Sequence, residues 1–271
     1  MKKIGLTLIG MLLLSSVGFA SPMMDYSKGK AGLDLNYRFY QDMDATANVS
    51  GQDWSHSFSD SLSGKGGLEL GATLGLGNNF ALQYKGLEAE ANKTYPLCDN
   101  LAISLNPKIR SHEYNVLYNI NKNFSAFAGL VRVTPNVNVA VNYNDYYEPQ
   151  DYASTAYVYG INLNGQATLG AKDKNIGQVG IIATTKIFDK TNLYGIAAFG
   201  KDYRNLEAGV GYEFSKDWEL NVNYRSAKYD NLQIANGSYT ETDGDYVMHE
   251  SLALTSDVKT KGWGVGVSYK F

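Results

Sequence analysis

The last eleven residues, 261–271, constrain the fold more than any other stretch. Large apolar side chains occupy every second position: Trp263, Val265, Val267, Tyr269 and Phe271. Between them lie Gly262, Gly264, Gly266, Ser268 and Lys270, all small or polar. A helix would bring apolar residues round every three or four positions. Strict alternation instead describes a strand with one apolar and one polar face. The chain ends on an aromatic residue, so its end reads as the end of a strand. A soluble sheet would bury such an apolar face against a core, and the rest of the sequence decides whether this one does.

The alternation recurs along the chain. Over 31–40, Ala31, Leu33, Leu35, Tyr37 and Phe39 oppose Asp34, Asn36, Arg38 and Tyr40. Over 66–76, Leu68, Leu70, Ala72, Leu74 and Leu76 oppose Glu69, Thr73 and three glycines. Similar pairs of faces occur at 206–214 and 218–224. The apolar phase slips at Gly86, which predicts a β-bulge there. Short turns are predicted at Gly77-Asn-Asn79, 121–123, 189–192 and 215–217. They alternate with long polar segments at 42–65, 92–107, 134–175 and 230–260. The stretch 134–175 reads as a hairpin extending two strands rather than as two further spanning strands. Ten strands result, with 12 or 8 as alternatives.

The first twenty residues read as an export leader. Lys2 and Lys3 precede an apolar run at 4–14, and Gly18-Phe-Ala20 supplies a small-x-small cleavage site after Ala20. The expected domains are therefore a signal peptide, 1–20, and one barrel domain, 21–271. Losing the two lysines takes the formal charge from −3 to −5, which argues against nucleic acid as a partner. Elsewhere no apolar run nears the roughly 18 residues of a membrane helix, and the mean hydropathy is −0.28. A barrel reconciles export with low hydropathy, because only alternate residues of each strand meet lipid. The single Cys98 excludes an intrachain disulfide and reads as a loop thiol without a role.

Loop lengths and aromatics agree with that architecture. If both termini are periplasmic, the short turns fall on the periplasmic side and the long segments outside. Phe80, Tyr118, Phe124, Tyr212, Phe214, Trp218 and Phe271 then cluster at the periplasmic ends. Tyr37, Phe39, Tyr84, Tyr224 and Trp263 sit near the outer ends, which makes two interfacial girdles. The alternating strands, the Asn/Asp/Lys turns and the closing Gly-Val-Ser-Tyr-Lys-Phe271 resemble the bacterial outer-membrane β-barrel superfamily of opacity-type and OmpA-like membrane domains, including porin-like barrels. This resemblance implies an all-β, antiparallel, up-and-down transmembrane β-barrel in the cell outer membrane. It also implies that Trp263, Val265, Val267, Tyr269 and Phe271 form an assembly signal read by the barrel-assembly machinery. Adhesins, small channels and barrels without assigned activity all belong to that superfamily.

A lipid-facing charge costs roughly 2–4 kcal/mol near the midplane, so the charged faces are expected to point inward. Asp34, Arg38, Glu69, Lys85, Glu113, Lys186, Glu207, Glu219 and Arg225 become the expected lumen-lining set. No catalytic constellation emerges from His56, His112 and His249, and His56-Ser-Phe-Ser59 reads as chance in a Ser-rich segment. Asp42-Met-Asp44 and Asp243-Gly-Asp245 supply too few oxygens for a cation site. No catalytic, cofactor or metal site is expected. The expected partners are outer-membrane lipid and lipopolysaccharide, the assembly machinery, and a host or cell-surface ligand met by the outer segments. Function then reads as surface interaction, adhesion or envelope integrity. The alternative is a narrow porin-like channel through a glycine-lined lumen, and a barrel-embedded hydrolase is a remote third.

Overall fold

The computed structural model describes residues 22–50, 54–98, 100–147, 159–170, 172–243 and 246–271, so the expected leader lies outside the described residues. Twelve strands are described: β1 (Ala31–Ser50), β2 (Ser55–Gly64), β3 (Gly67–Gly77), β4 (Phe80–Cys98), β5 (Leu101–Asn121) and β6 (Phe124–Tyr147), followed by β7 (Tyr159–Gly170), β8 (Lys174–Phe188), β9 (Thr191–Gly200), β10 (Tyr203–Glu213), β11 (Trp218–Asp243) and β12 (Tyr246–Lys270). Ten of them close a ring, β1-β3-β4-β5-β6-β8-β9-β10-β11-β12. Antiparallel pairing of β12 with β1, from Gly32↔Lys270 to Phe39↔Trp263, completes it. The fold is an all-β, antiparallel, transmembrane barrel.

The two strands outside the ring answer the question posed by residues 134–175. The lower half of β6 pairs with β8, from Phe124↔Ala183 to Val133↔Lys174. Its upper half pairs with β7 instead, from Asn136↔Gly170 to Tyr147↔Tyr159. Among the described residues, β6 and β7 thus form an antiparallel extension above the ring and not two further ring strands. Likewise β2 pairs with the upper half of β1, from Met43↔Leu62 to Ser50↔Ser55, and touches β4 through Ser63↔Asn92 and Gly64↔Ala91.

Short turns close the lower end, where the N-terminal segment and Phe271 also lie. Asn78 and Asn79 both adopt positive φ, 52° and 67°, the geometry a two-residue hairpin needs to match strand twist. At the next turn the Asn121 side chain accepts from the backbone N–H groups of Asn123 (2.9 Å) and Phe124 (3.1 Å). Asn ends a strand well because its carboxamide mimics a backbone acceptor.

A band of outward apolar side chains rings the lower barrel, with Leu35 at 44%, Leu220 at 50% and Val222 at 49% exposure. Leaving that much apolar surface in water is unfavourable over a whole circumference; facing hydrocarbon, it is satisfied. Aromatic pairs edge the band. Phe80–Tyr118 (5.1 Å) and Trp218–Tyr269 (4.6 Å) lie below, with Tyr37–Phe39 (5.0 Å), Tyr84–Tyr114 (5.4 Å) and Tyr224–Trp263 (5.2 Å) above. Just over the upper girdle runs a belt of ion pairs. It includes Lys261–Asp44 at 2.9 Å, Arg110–Glu88 at 2.8 Å, Arg132–Asp173, and Lys174–Asp202 at 2.8 Å.

Above this belt the strands continue, and their polarity inverts. On β4, Ala81, Gln83 and Lys85 point inward; so do Leu87, Ala89 and Ala91, all buried, while Glu88 and Glu90 carry ion pairs on the outer face. No register shift occurs near Gly86: β4 pairs β5 in step from Phe80↔Tyr118 to Glu90↔Lys108. The expected bulge is therefore absent. What changes at Gly86 is the environment outside the strand, from hydrocarbon to water, so the apolar set moves to the inner face. A true irregularity falls between Phe39 and Asp42 on β1, where that strand leaves the band. The long polar segments are mostly strand rather than loop. On their outer face polar side chains pair across strands, Thr46 with Ser59 (2.9 Å) and Thr94 with Ser104 (2.8 Å).

Candidate functional site

The site is the lumen, and it is filled in layers. At the lower mouth the segment before β1 folds into the barrel. Met23 and Tyr26 are buried, Tyr26 Oη donates to Ser125 Oγ (3.1 Å), and Asn119 Nδ2 donates to the Met24 carbonyl. Backbone bonds tie the segment down at Gly29 N–Gly75 O (3.2 Å), Gly75 N–Lys30 O (2.7 Å) and Gly77 N–Tyr26 O (2.9 Å).

Above it sits a charged layer assembled from β1, β3, β4, β5, β10 and β11. Arg38 Nε donates to Glu69 Oε2 at 2.7 Å, and its Nη1 to Asn223 Oδ1 at 3.0 Å. Arg225 Nη1 reaches the same Glu69 oxygen at 3.0 Å, its Nη2 binds Glu113, and its Nε donates to Asn205 Oδ1 at 2.9 Å. Glu207 stands 3.6 Å from Arg38 and 3.9 Å from Lys85, and Tyr194 Oη donates to it at 3.2 Å. Side-chain exposure of Arg38, Glu69, Glu113 and Arg225 is 4% or less. Charges taken this far from water must be paired, because an uncompensated one costs several kcal/mol.

Of the nine residues expected to line the lumen, Arg38, Glu69, Lys85, Glu113, Glu207 and Arg225 meet in this layer. Asp34 lies beneath it and accepts from Ser268 Oγ; Glu219 is buried at the same low level, its strand neighbour being Ser268. Lys186 does not join: it lies exposed at the lower rim, beyond the point where β8 can reach the layer. Sequence reading missed Tyr194, Tyr203, Gln178 and Lys270. Gln178 Nε2 donates to Asn115 Oδ1 at 2.8 Å, and Tyr203 Oη to Glu113 Oε1 at 3.1 Å. The inward parity of all four was available, but the uncharged Tyr194, Tyr203 and Gln178 give no signal of a partner, and the charged Lys270 was read only as part of the last strand's polar face.

The inward glycines do not widen a pore. A methyl group at Gly266 would meet Asn36 Oδ1 at 1.8 Å, at Gly264 it would meet Asn223 Oδ1 at 2.8 Å, and at Gly75 the Ser27 carbonyl at 2.4 Å. The glycines make room for side chains and for the N-terminal segment. Only about 30 Å³ stays empty among Asp34, Asn36, Glu69, Lys85 and Glu207.

Tyr203 and Tyr229 pack with ring centroids 5.3 Å apart and roof the charged layer. Over this roof a second chamber of about 270 Å³ opens, lined mainly by Met43, Leu62, Ile109, Val137, Ile234 and Val258. On one wall Lys93 Nζ holds Asp60 at 2.6 and 2.7 Å, with Tyr95 Oη donating to the same carboxylate. Those bonds, that from Lys93 first, bring the Asp60 carboxyl down to about 2, while burial and Asp60 push Tyr95 up to about 12.

The histidines stay apart. His56 is exposed near Trp54, His112 faces outward with Nδ1 2.8 Å from Tyr84 Oη, and the His249 side chain lies outside the described residues. Residues 244–245 of the Asp243-Gly-Asp245 motif are also outside them. Among the described residues no cluster of three or more His, Cys, Asp or Glu is arranged to hold a metal.

No family model matches the chain, and no curated protein matches it in sequence. Solved structures similar to it include Ail, the attachment invasion locus protein of Yersinia pestis, 10% identical with a TM-score of 0.30, covering 90% of this chain and 99% of that one. The outer membrane protease OmpT from Escherichia coli is 6% identical with a TM-score of 0.43, covering 93% and 100%. Neisserial surface protein A is 11% identical with a TM-score of 0.29, covering 90% and 100%. At such identities and scores the likeness carries no argument about activity, and the fold rests on the closed ring itself.

Proposed function

We propose that this chain is an integral outer-membrane barrel, lower end periplasmic and upper end outside, that works by surface interaction and not by free diffusion through its lumen. The observation that carries the reading is the lumen's double closure, by the Arg38–Glu69–Arg225–Glu113 layer and by the N-terminal segment. Eight strands leave just enough interior for side chains, and ten leave slightly more, which these groups occupy. Meanwhile β11 alone runs 18 residues past Arg225, roughly 60 Å of strand at about 3.3 Å per residue, into the outer water. Strand-paired hairpins of that length present a large surface for contact outside the membrane.

Single-channel recording of the refolded chain in planar bilayers tests this. The expected result is silence; regular unitary steps from the wild-type chain would overturn it. A narrow channel is the second reading, favoured by the upper chamber over the closure and by a cleft at the lower rim lined by Met24, Asn119, Lys122 and Lys186. It requires both the N-terminal segment and the charged layer to move, so a chain lacking residues 22–30 would then open more often than the intact one.

A further inference from the structure

The upper chamber is left over by that reading, because contact with another surface uses the outside of a platform and not its inside. We infer that it is a binding cup for a small, uncharged, predominantly apolar molecule taken from the outer medium. The inference rests on the closed-lumen reading, since the charged layer is what makes the chamber a dead end.

Four observations carry it. First, the wall chemistry is the reverse of the lumen below: Met43, Ile109 and Val258 are buried and apolar, on β1, β5 and β12, whose lower inward positions include Arg38, Glu113 and Lys270. Inverting the inner face is what a calyx in water does, with a polar outside and an apolar inside. Second, the side chains do not fill the space they enclose. A water there needs two to four polar partners, and of the wall's few polar groups Asp60, Tyr95, Lys108 and Ser256 are already engaged, so an apolar guest displaces little water. Third, the one carboxylate on the wall, Asp60, is already held by Lys93 and Tyr95 and does not call for a cationic ligand. Fourth, the chamber opens upward: Phe58 on its wall is 65% exposed, and Leu105 and Val139 are part-exposed. Size limits the guest. An apolar cavity of roughly 150 Å³ takes benzene, so about 270 Å³ takes a substituted ring, a fused pair of rings or an alkyl chain of similar bulk.

The test uses the full chain in lipid nanodiscs and naphthalene as the probe, measured by equilibrium dialysis with protein-free nanodiscs as the blank. A saturable increment of one naphthalene per barrel is expected. Ala45→Phe, which puts a ring into the cup from β1, should weaken it at least tenfold. Ala47→Phe, higher on the same wall, carries the comparison if Ala45→Phe fails to give a folded, heat-modifiable band. Absence of an increment, including the case where the chain's own outer segments fill the cup, would overturn the inference, as would equal binding by wild type and filled variants. Conductance recorded on the same preparation separates the two failures. Silence without naphthalene binding sinks the cup alone, whereas steady conductance sinks the closed lumen whatever the dialysis shows.

Discussion

Arg225 shows how one side chain holds the interior closed. Its guanidinium spans Glu69 on β3, Glu113 on β5 and Asn205 on β10, three elements far apart in sequence. A buried ion network roughly breaks even against apolar packing, yet removing one partner typically costs about 3–5 kcal/mol, because the other charge stays buried. Arg225→Leu is therefore expected to lose about that much in urea unfolding from lipid vesicles. Glu113→Gln should lose less, since Arg225 keeps Glu69. The outer face obeys a different rule. Leu220→Arg puts a charge against hydrocarbon and should cost roughly 2–4 kcal/mol, while Ser226→Arg, on the same face of β11 above the upper girdle, should be nearly neutral. Comparable losses at 220 and 226 would mean that the apolar band does not face lipid. The inner position between them, Asn221, is no tolerant control: it is buried and accepts from Asn223 Nδ2 at 2.8 Å.

At the scale of the strand, charge pairs add to the apolar packing that holds the outer hairpins. Beyond the short backbone ladder at Ser63↔Asn92 and Gly64↔Ala91, Lys93–Asp60–Tyr95 ties β2 to β4, and Asp60 lies below its ordinary 3.8. A depressed carboxylate stabilises the folded form above its unfolded pKa and loses that contribution as pH falls through its folded value. Protection of β2 amides in hydrogen exchange should thus be flat above pH 4 and fall between about 4 and 2. Asp60→Asn at neutral pH should reproduce the acid state; unchanged protection in that variant would remove the clamp. The last strand carries a prediction of its own. Phe271 is half-buried against Tyr269 (5.8 Å), one ring among several in the lower girdle, so its deletion should leave the barrel refolded in detergent stable by heat-modifiable mobility. If residues 263–271 are also an assembly signal, the same deletion will deplete outer-membrane fractions in cells. Normal abundance would leave β12 an ordinary strand.

Over the whole molecule, orientation is the property that every functional statement depends on. The native Cys98 is exposed at the upper end of β4, so an impermeant maleimide should label it on intact cells without engineering. In a Cys98→Ser background, Ser61→Cys should label and Lys216→Cys at a lower turn should not. Labelling at Lys216 alone would invert the topology. The ring of ten strands, the faces meeting lipid, the short turns and the girdles were legible in sequence, because lipid imposes a strict period-2 rule wherever it touches the chain. Above the lipid that rule lapses, and residues such as Thr46 and Ser59, whose hydroxyls pair at 2.9 Å across β1 and β2, read as loop while standing in strand. The alternation at Leu87, Ala89 and Ala91 was visible too, but only the register showed it to be an unbroken strand changing its surroundings. Whether the lumen conducts was beyond any one strand's pattern. Gly264 and Gly266 on β12 suggest space until Asn36 and Arg38 of β1 and Asn223 of β11 are seen to enter it. Alternation along a chain is a local consequence of solvent on two faces, whereas filling a volume depends on which side chains closure brings together, and that is decided only when β12 meets β1.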